Sequence, residues 1–247
     1  MAMTVEALGD LQPQDALVIV AFPSTGAASP IAGQYLIERL EMPLVGHITS
    51  EAFAGVVHVQ DGVATSPIRI YGGDVACQLD KPCQRVYIVC TEIPAPLAVF
   101  IEAAECILAW AKNSRLVLAL EAMVRGEGDD SPDVFHVASS AEALTRLGEM
   151  QLPALPRATI AGGTAALLSH KASEVPVVAF VVEASLEHPD GRAAVALVEA
   201  IDPLLPQIKI DAKPLLEDAM RLEEEIRKAV DEAERAHRPR RSMESFI

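Results

Sequence analysis

Apolar residues fall along this chain in short, dense runs set between polar loops and stretches of helical period. ALVIVAF (16–22), RVYIVC (85–90), RLVLAL (115–120) and VPVVAFVV (175–182) are rich in Val, Ile and Leu with almost no polar alternation. Such runs predict strands buried on both faces of a sheet. Shorter runs, LVGHI at 44–48 and VFHVA at 134–138, predict two more strands. Helical spacing occupies the intervals: Ile31, Tyr35, Leu36, Ile37 and Leu40 after the first strand, then 97–112, the stretch after Ser139, and the one from Asp190 to Ile201. Strand, helix, strand in repetition is the signature of an α/β sheet covered by helices on both faces. The strand at 44–48 is reached through the first helix and is therefore predicted to run parallel to 16–22.

The connections carry their own signals. PSTGAASP follows the first strand, with Gly26 where the backbone must bend freely. Ser29 is placed to cap the helix and Pro30 to occupy its first position, where a missing N–H costs little. A second turn of the same kind is predicted where Thr159-Ile160-Ala161, read as a strand, enters Gly162-Gly163 and a helix. Backbone N–H groups at a helix start favour anions, so Ser24, Thr25, Gly26, Gly162 and Gly163 are candidate anion- or ligand-binding positions. The glycines serve equally well for the close approach of another chain segment. Neither turn holds G-x-x-x-x-G-K-[ST] or G-x-G-x-x-G, so a P-loop lysine and its hydroxyl are absent. A hairpin is predicted from 56–59 through Asp61-Gly62 to 63–71, since Asp-Gly suits a type I′ turn. Ser139 with Glu142 reads as a capping box.

Composition narrows the function classes. Half of the 247 residues are hydrophobic and the formal charge is -15, which argues against nucleic acid as a partner. The longest uncharged apolar run, 175–182, is far shorter than the roughly 20 residues that span a bilayer. The first ten residues lack the basic start and apolar core of a signal peptide, so a cytoplasmic location is expected. Cys77, Cys83, Cys90 and Cys106 form no C-x-x-C pair and read as structural thiols, with Cys77 and Cys83 the only pair suited to a disulfide. His47 and His58 read as strand-edge or surface residues rather than metal ligands. Glu51, Glu92 and Glu183 follow or interrupt strands, where α/β proteins place functional groups, and two of them could share a cleft. No G-x-S-x-G or H-E-x-x-H is present, and Ser169-His170 are neighbours only in sequence. The absence of these signatures argues against an enzyme, and no cofactor or metal is implied.

The acidic loop RGEGDDSPD, centred on 126–133, lacks the EF-hand spacing of a Ca²⁺ site. From 211 to 236, Leu215, Ala219, Leu222, Ile226, Ala229 and Ala233 recur in steps of four and three, a heptad-like seam suited to packing on the domain or to an oligomer contact. The predicted organisation is an α/β domain over 1–210, an amphipathic helix over 211–236, and a disordered tail over 237–247.

Taken in order, FPSTGAASPIAGQYLIERL, LVGHITSEAF, GGTAALL, VVAFVVEASLEHPDGRAAVALVEAI and IDAKPLLEDAMRLEEEIRKAV resemble the archaeal and bacterial relatives of proteasome assembly chaperone 2, over about residues 16 to 236. The most specific pieces are the glycine-containing turn, the E-x-x-x-x-x-P-D-x-x-A pattern at Glu183, Pro189, Asp190 and Ala193, and the helix start at Ile210, Asp211 and Leu215. The family's first turn usually carries more glycines; here Ser24, Ala27 and Ala28 stand in that region beside Gly26 and Gly33. The resemblance implies a phosphorylase-like three-layer α/β/α sandwich, mostly parallel with an inserted hairpin, self-association into homo-oligomers, and no established catalysis. It also implies binding of proteasome α subunits in aid of core-particle assembly. Some members dock through a C-terminal hydrophobic–tyrosine–any-residue tail; here the chain ends Ser245-Phe246-Ile247, so Phe246 and Ile247 are the candidate partner-binding residues. The alternative reading is an enzyme or binder of a nucleotide, nucleoside or phosphate at the two glycine-containing turns.

Overall fold

The computed structural model describes residues 3–53, 55–60, 62–126, 132–170, 175–206, 211, 214, 215 and 217. In chain order the elements are β1 (Thr4–Ala7), β2 (Leu17–Ala21), α1 (Ala28–Arg39), β3 (Leu44–Thr49), β4 (His58–Gln60), β5 (Val63–Thr65) and β6 (Ile68–Gly73). Then come β7 (Cys77–Gln78), β8 (Pro82–Cys83), β9 (Val86–Cys90), α2 (Leu97–Trp110), β10 (Leu116–Val124) and β11 (Val134–Ala138). The last are α3 (Ala141–Thr145), α4 (Gly163–Ser169), β12 (Val177–Ala184) and α5 (Gly191–Ile201).

Among the described residues the central sheet has eight strands in the order β1-β3-β6-β9-β2-β10-β12-β11. Its centre, β9-β2-β10-β12, is parallel, and the pairings on either side of it are antiparallel. The fold class is the expected α/β one, a mixed sheet between helical layers. β3 runs in the same direction as β2, as predicted, but two strands stand between them.

Period-two alternation divides the core. Leu17, Ile19 and Ala21 of β2 face the layer containing Ala28, Ala32 and Leu36 of α1 and Ala194, Leu197 and Val198 of α5. Val18 and Val20 face the other layer, with Phe100, Ala103 and Ile107 of α2 and Leu167 of α4. Every residue of β2 and β9 is buried, so neither face of these strands can hold a lone charge. Each buried aliphatic side chain contributes roughly 1.5–3 kcal/mol, which makes this double-sided core the dominant stabilising element.

Several local expectations are corrected. Outside the predicted strands, Thr4–Ala7 adds an edge strand to β3. Its polar Glu6 bonds His47 and Thr49, while Val5 packs toward the core. Capping of α1 does not come from Ser29, which lies inside the helix; the Ser29 N–H instead donates to Ser24 Oγ at 3.1 Å. Ser140, not Ser139, caps α3 by accepting from the Ala143 N–H, and Ser139 Oγ accepts from Val177 N–H across the sheet edge. Residues 159–161 are not a strand; the chain there has already left the sheet after an isolated bridge between His136 and Ala154. The hairpin is a short ribbon, β4 with β5. It ends before Pro67, which has no N–H to continue the ladder, and β6 joins the main sheet instead. Asp61 lies outside the described residues; Gly62 has φ +79°. Cys77 and Cys83 face each other on β7 and β8 and form a disulfide, while Cys90 and Cys106 are free. Of the helix predicted over 211–236, Pro214, Leu215 and Glu217 are helical and most of the rest lies outside the described residues, as do the 237–247 tail and most of the acidic loop.

A single carboxylate ties the α1 layer together. Asp190, 2% exposed, accepts from the N–H of Ala193 at 2.9 Å and of Ser185 at 2.8 Å, and from Arg125 Nη2 at 3.1 Å. Its own N–H donates to Gly26 O at 2.7 Å. The first carboxylate bond is the N-cap of α5. Replacing Asp190 by Ala removes that cap and strands the half-buried Ser185 N–H. We expect a loss of about 2–4 kcal/mol in urea unfolding; a loss below about 0.5 kcal/mol would contradict this role.

Candidate functional site

α1 follows β2 onto one face of the sheet, and α2 follows β9 onto the other. Since β2 and β9 are adjacent and parallel, the two loops leaving their C-terminal ends diverge and open a crevice. A cleft of about 1020 Å³ occupies that position. Its walls are Pro23, Ser24 and Ala27 from the first turn, Pro30, Ile31, Gln34, Tyr35 and Glu38 of α1, and the ribbon residues His58, Val59 and Gln60. Glu92, Pro94, Pro214 and Leu215 complete it. The Tyr35 hydroxyl donates to the carbonyl of Asp211, which ties this chain segment to the outer rim.

Beneath the cleft lies a buried arginine. Arg69 on β6 is fully buried and stands opposite Cys90 in the β6–β9 register. Its Nη2 donates to Glu92 Oε1 at 2.5 Å and approaches Cys90 Sγ at 3.6 Å. Its Nε donates to Tyr71 Oη and its Nη1 to Pro67 O, both at 3.2 Å. Tyr71 in turn donates to Gln60 Oε1 at 3.0 Å, which seats the β4–β5 ribbon on the sheet. A guanidinium taken out of water is tolerated only when its donors are matched in this way. Glu92 is thereby held at the cleft floor, with Oε2 turned to His58 Nδ1 at 3.9 Å. Burial lowers the His58 pKa, the charge of Arg69 lowers it further, and Glu92 offsets part of this, so the ring is neutral at pH 7. The Cys90 thiol is pushed up to about 12 by burial and is inert.

The predicted turn residues fall in different surroundings. Ser24 lines the cleft. Gly26, at φ +60°, has the Ser185 carbonyl and Asp190 where a Cβ would stand, at 2.8 and 2.9 Å. The close approach there is to another segment of the chain. Thr25 sits with Gly26 in a single 3₁₀ turn. Gly163 presses on the Phe22 ring, 2.2 Å from an ideal Cβ position. Gly162 lines a second groove of about 520 Å³ with Leu97, Ile101, Ala165 and His170. The helices that the two turns open lie on opposite faces, so the structure does not unite them in one site. Of the three strand-end glutamates, Glu92 alone lines the cleft. Among the described residues no three His, Cys, Asp or Glu side chains gather as a metal site, and no helix is long and apolar enough to cross a membrane. Phe246 and Ile247 lie outside the described residues.

Two residues escaped the sequence reading. Arg69 interrupts the apolar run Ile68–Tyr71, and a lone charge in a buried strand needs a partner one strand away; that was the available signal. Glu121 lies inside β10, which runs past the predicted strand end at Leu120. Burial raises its pKa to about 7, against hydrogen bonds from Thr164 and the Ala122 N–H that favour the charged form.

The model of the PAC2 family matches residues 18–230. The fold is similar to the crystal structure of PbaA of Pyrococcus furiosus, an archaeal homologue of proteasome-assembly chaperone. The match has 25% identity and TM-score 0.76 over 95% of this chain and 100% of that one. It is also similar to Pyrococcus furiosus PbaB, an archaeal proteasome activator, at 19% identity and TM-score 0.75 over 92% and 98%. A PAC2 family protein of Streptomyces avermitilis matches at 21% identity and TM-score 0.66 over 87% and 95%. Among curated protein sequences none matches this chain.

Glu121 yields a pH prediction. In the unfolded chain it titrates near the ordinary glutamate value of 4.5, and in the folded protein at about 7. The native state therefore holds the proton longer, and stability falls as pH rises between these values and levels off above. Glu121→Gln, which keeps an acceptor for Thr164, is expected to match the parent at pH 4 and to exceed it at pH 8 by up to roughly 3 kcal/mol. Urea unfolding across this range checks it; parallel curves would contradict the burial of this carboxylate.

Proposed function

The chain belongs to the PAC2 family, and from that membership we propose that it is a non-enzymatic, homo-oligomeric binding protein that engages proteasome α subunits and aids core-particle assembly. The family match over most of the chain carries the reading, and the likeness to PbaA over the whole of that chain supports it. The packing of Gly26 against Asp190 and of Gly163 against Phe22 is consistent with it, since both close approaches are met by protein rather than left for a ligand.

The contact we propose is the C-terminal tail. Phe246 supplies an aromatic ring and Ile247 an apolar neighbour; together they suit a pocket between adjacent α subunits. The position before the ring is Ser245 rather than an apolar residue, so part of the binding free energy is assigned to the folded body.

Light-scattering size exclusion with proteasome α subunits tests this. The full chain is expected to form a complex at micromolar concentration, and removal of Ser245, Phe246 and Ile247 to weaken it at least tenfold. No complex with the full chain would overturn the proposal. A complex indifferent to the truncation would overturn the tail as the contact. Against nucleotides, nucleosides and phosphate we expect no thermal stabilisation; a ligand at a hundred times its dissociation constant would add about 2.7 kcal/mol and favour the small-ligand alternative.

A further inference from the structure

The cleft between the ends of β2 and β9 has a definite chemical character. Among the described residues its lining holds two carboxylates, Glu38 and Glu92, and no Lys or Arg. Arg69 beneath it is buried and bonded to Glu92. The rest of the lining is mostly flat and apolar: Pro23, Pro30, Pro94 and Pro214, with Tyr35, Ile31, Val59 and Leu215. Glu92 is held in place by Arg69 through Oε1, its Oε2 lies 3.9 Å from His58 Nδ1, and its side chain is 40% exposed. His58 beside it is neutral at pH 7 and does not cancel the charge. A fixed carboxylate between proline and tyrosine walls suits an extended segment bearing guanidinium groups. Arginine pairs with carboxylates through two parallel hydrogen bonds, and a proline in such a segment presets the extended form that packs on apolar rings.

The chain carries one such segment. HRPRR, residues 237–241, sets Arg238, Arg240 and Arg241 around Pro239 with no acid among them, in a protein of formal charge -15. It follows the stretch that begins at the cleft itself, where Pro214 and Leu215 form part of the wall. A helix over 211–236, as the heptad spacing predicts, carries Arg238 about 35 Å from Leu215 at 1.5 Å per residue. That distance takes the segment away from its own cleft and toward a neighbour's.

We propose that the cleft receives the arginine-rich segment 237–241 of a second copy of this chain. The exchange joins copies through charge complementarity despite their like net charge, and it leaves residues 242–247 projecting beyond the cleft. It does not depend on the proteasome and stands or falls separately from the function proposed above.

The test uses the full-length chain with Arg240→Lys, which keeps the positive charge and adds a primary amine. Equal amounts of ¹⁵N-labelled and unlabelled protein are mixed and treated with a zero-length carbodiimide, and cross-linked peptides are read by mass spectrometry. The expected product joins position 240 to Glu92 or Glu38, contains one labelled and one unlabelled peptide in about half of cases, and falls at least fivefold in 0.5 M salt, as the screening of ion pairs predicts. Products of uniform isotope composition only would show the segment folding onto its own cleft and overturn the proposal. Cross-links from position 240 to other carboxylates, or none, would overturn it as well. Glu38→Gln, on the exposed rim, gives a second measure: it is expected to lower the Glu92 product severalfold, and an unchanged yield would count against docking in the cleft.

Discussion

Asp190 is the point on which the arrangement of this molecule turns. Its carboxylate caps α5, holds the Ser185 N–H and pairs with Arg125, while its own N–H reaches the carbonyl of Gly26. The link runs from the end of β2 to the end of β12, with β10 between them. It fixes where α1 starts relative to α5, and therefore how far the first turn stands from the loop after β9. The glycine at 26 is needed because the Ser185 carbonyl and Asp190 occupy the space of any larger residue. In this chain the turn that looks made for an anion is built first for its own neighbour.

The same double-sided burial governs the charges. β2 and β9 are apolar throughout, so ionisable groups gather where the strands end. Arg69 and Glu121 lie inside strands, and Arg69 is tolerated because Glu92, Tyr71 and the Pro67 carbonyl match its donors. That network positions a carboxylate at the mouth of the crevice and holds the ribbon above it through Gln60. The architecture thus sets a carboxylate-bearing cleft at the end of an apolar sheet.

Much of this was legible. The runs at 16–22, 85–90, 115–120 and 175–182 became the parallel centre because buried strands write continuous apolar sequence. The antiparallel flanks were less legible: Thr4–Ala7 is short and half polar, and its place depends on His47 and Thr49, distant in sequence. The α3 cap slipped by one residue to Ser140, since neighbouring serines offer equivalent oxygens and only the final turn geometry chooses, while α1 begins after Ala27 without a side-chain cap. At the cleft, Ser24, read as a candidate ligand turn, and Glu92, read as a strand-end acid, both line the wall, but Arg69 and its register with Cys90 depend on long-range pairing that no local pattern encodes. Gly26 and Gly162 share a sequence motif yet open helices on opposite faces, a distinction set by topology alone.

Family membership and fold support the proposal that this protein acts by binding partner chains. Hydrogen–deuterium exchange of the full chain, alone and saturated with proteasome α subunits, tests that claim most directly. The account predicts slowed exchange across residues 242–247 on addition of α subunits, with the already protected β2, β9 and β10 unchanged. Identical exchange along the whole chain at saturating α subunits would contradict it.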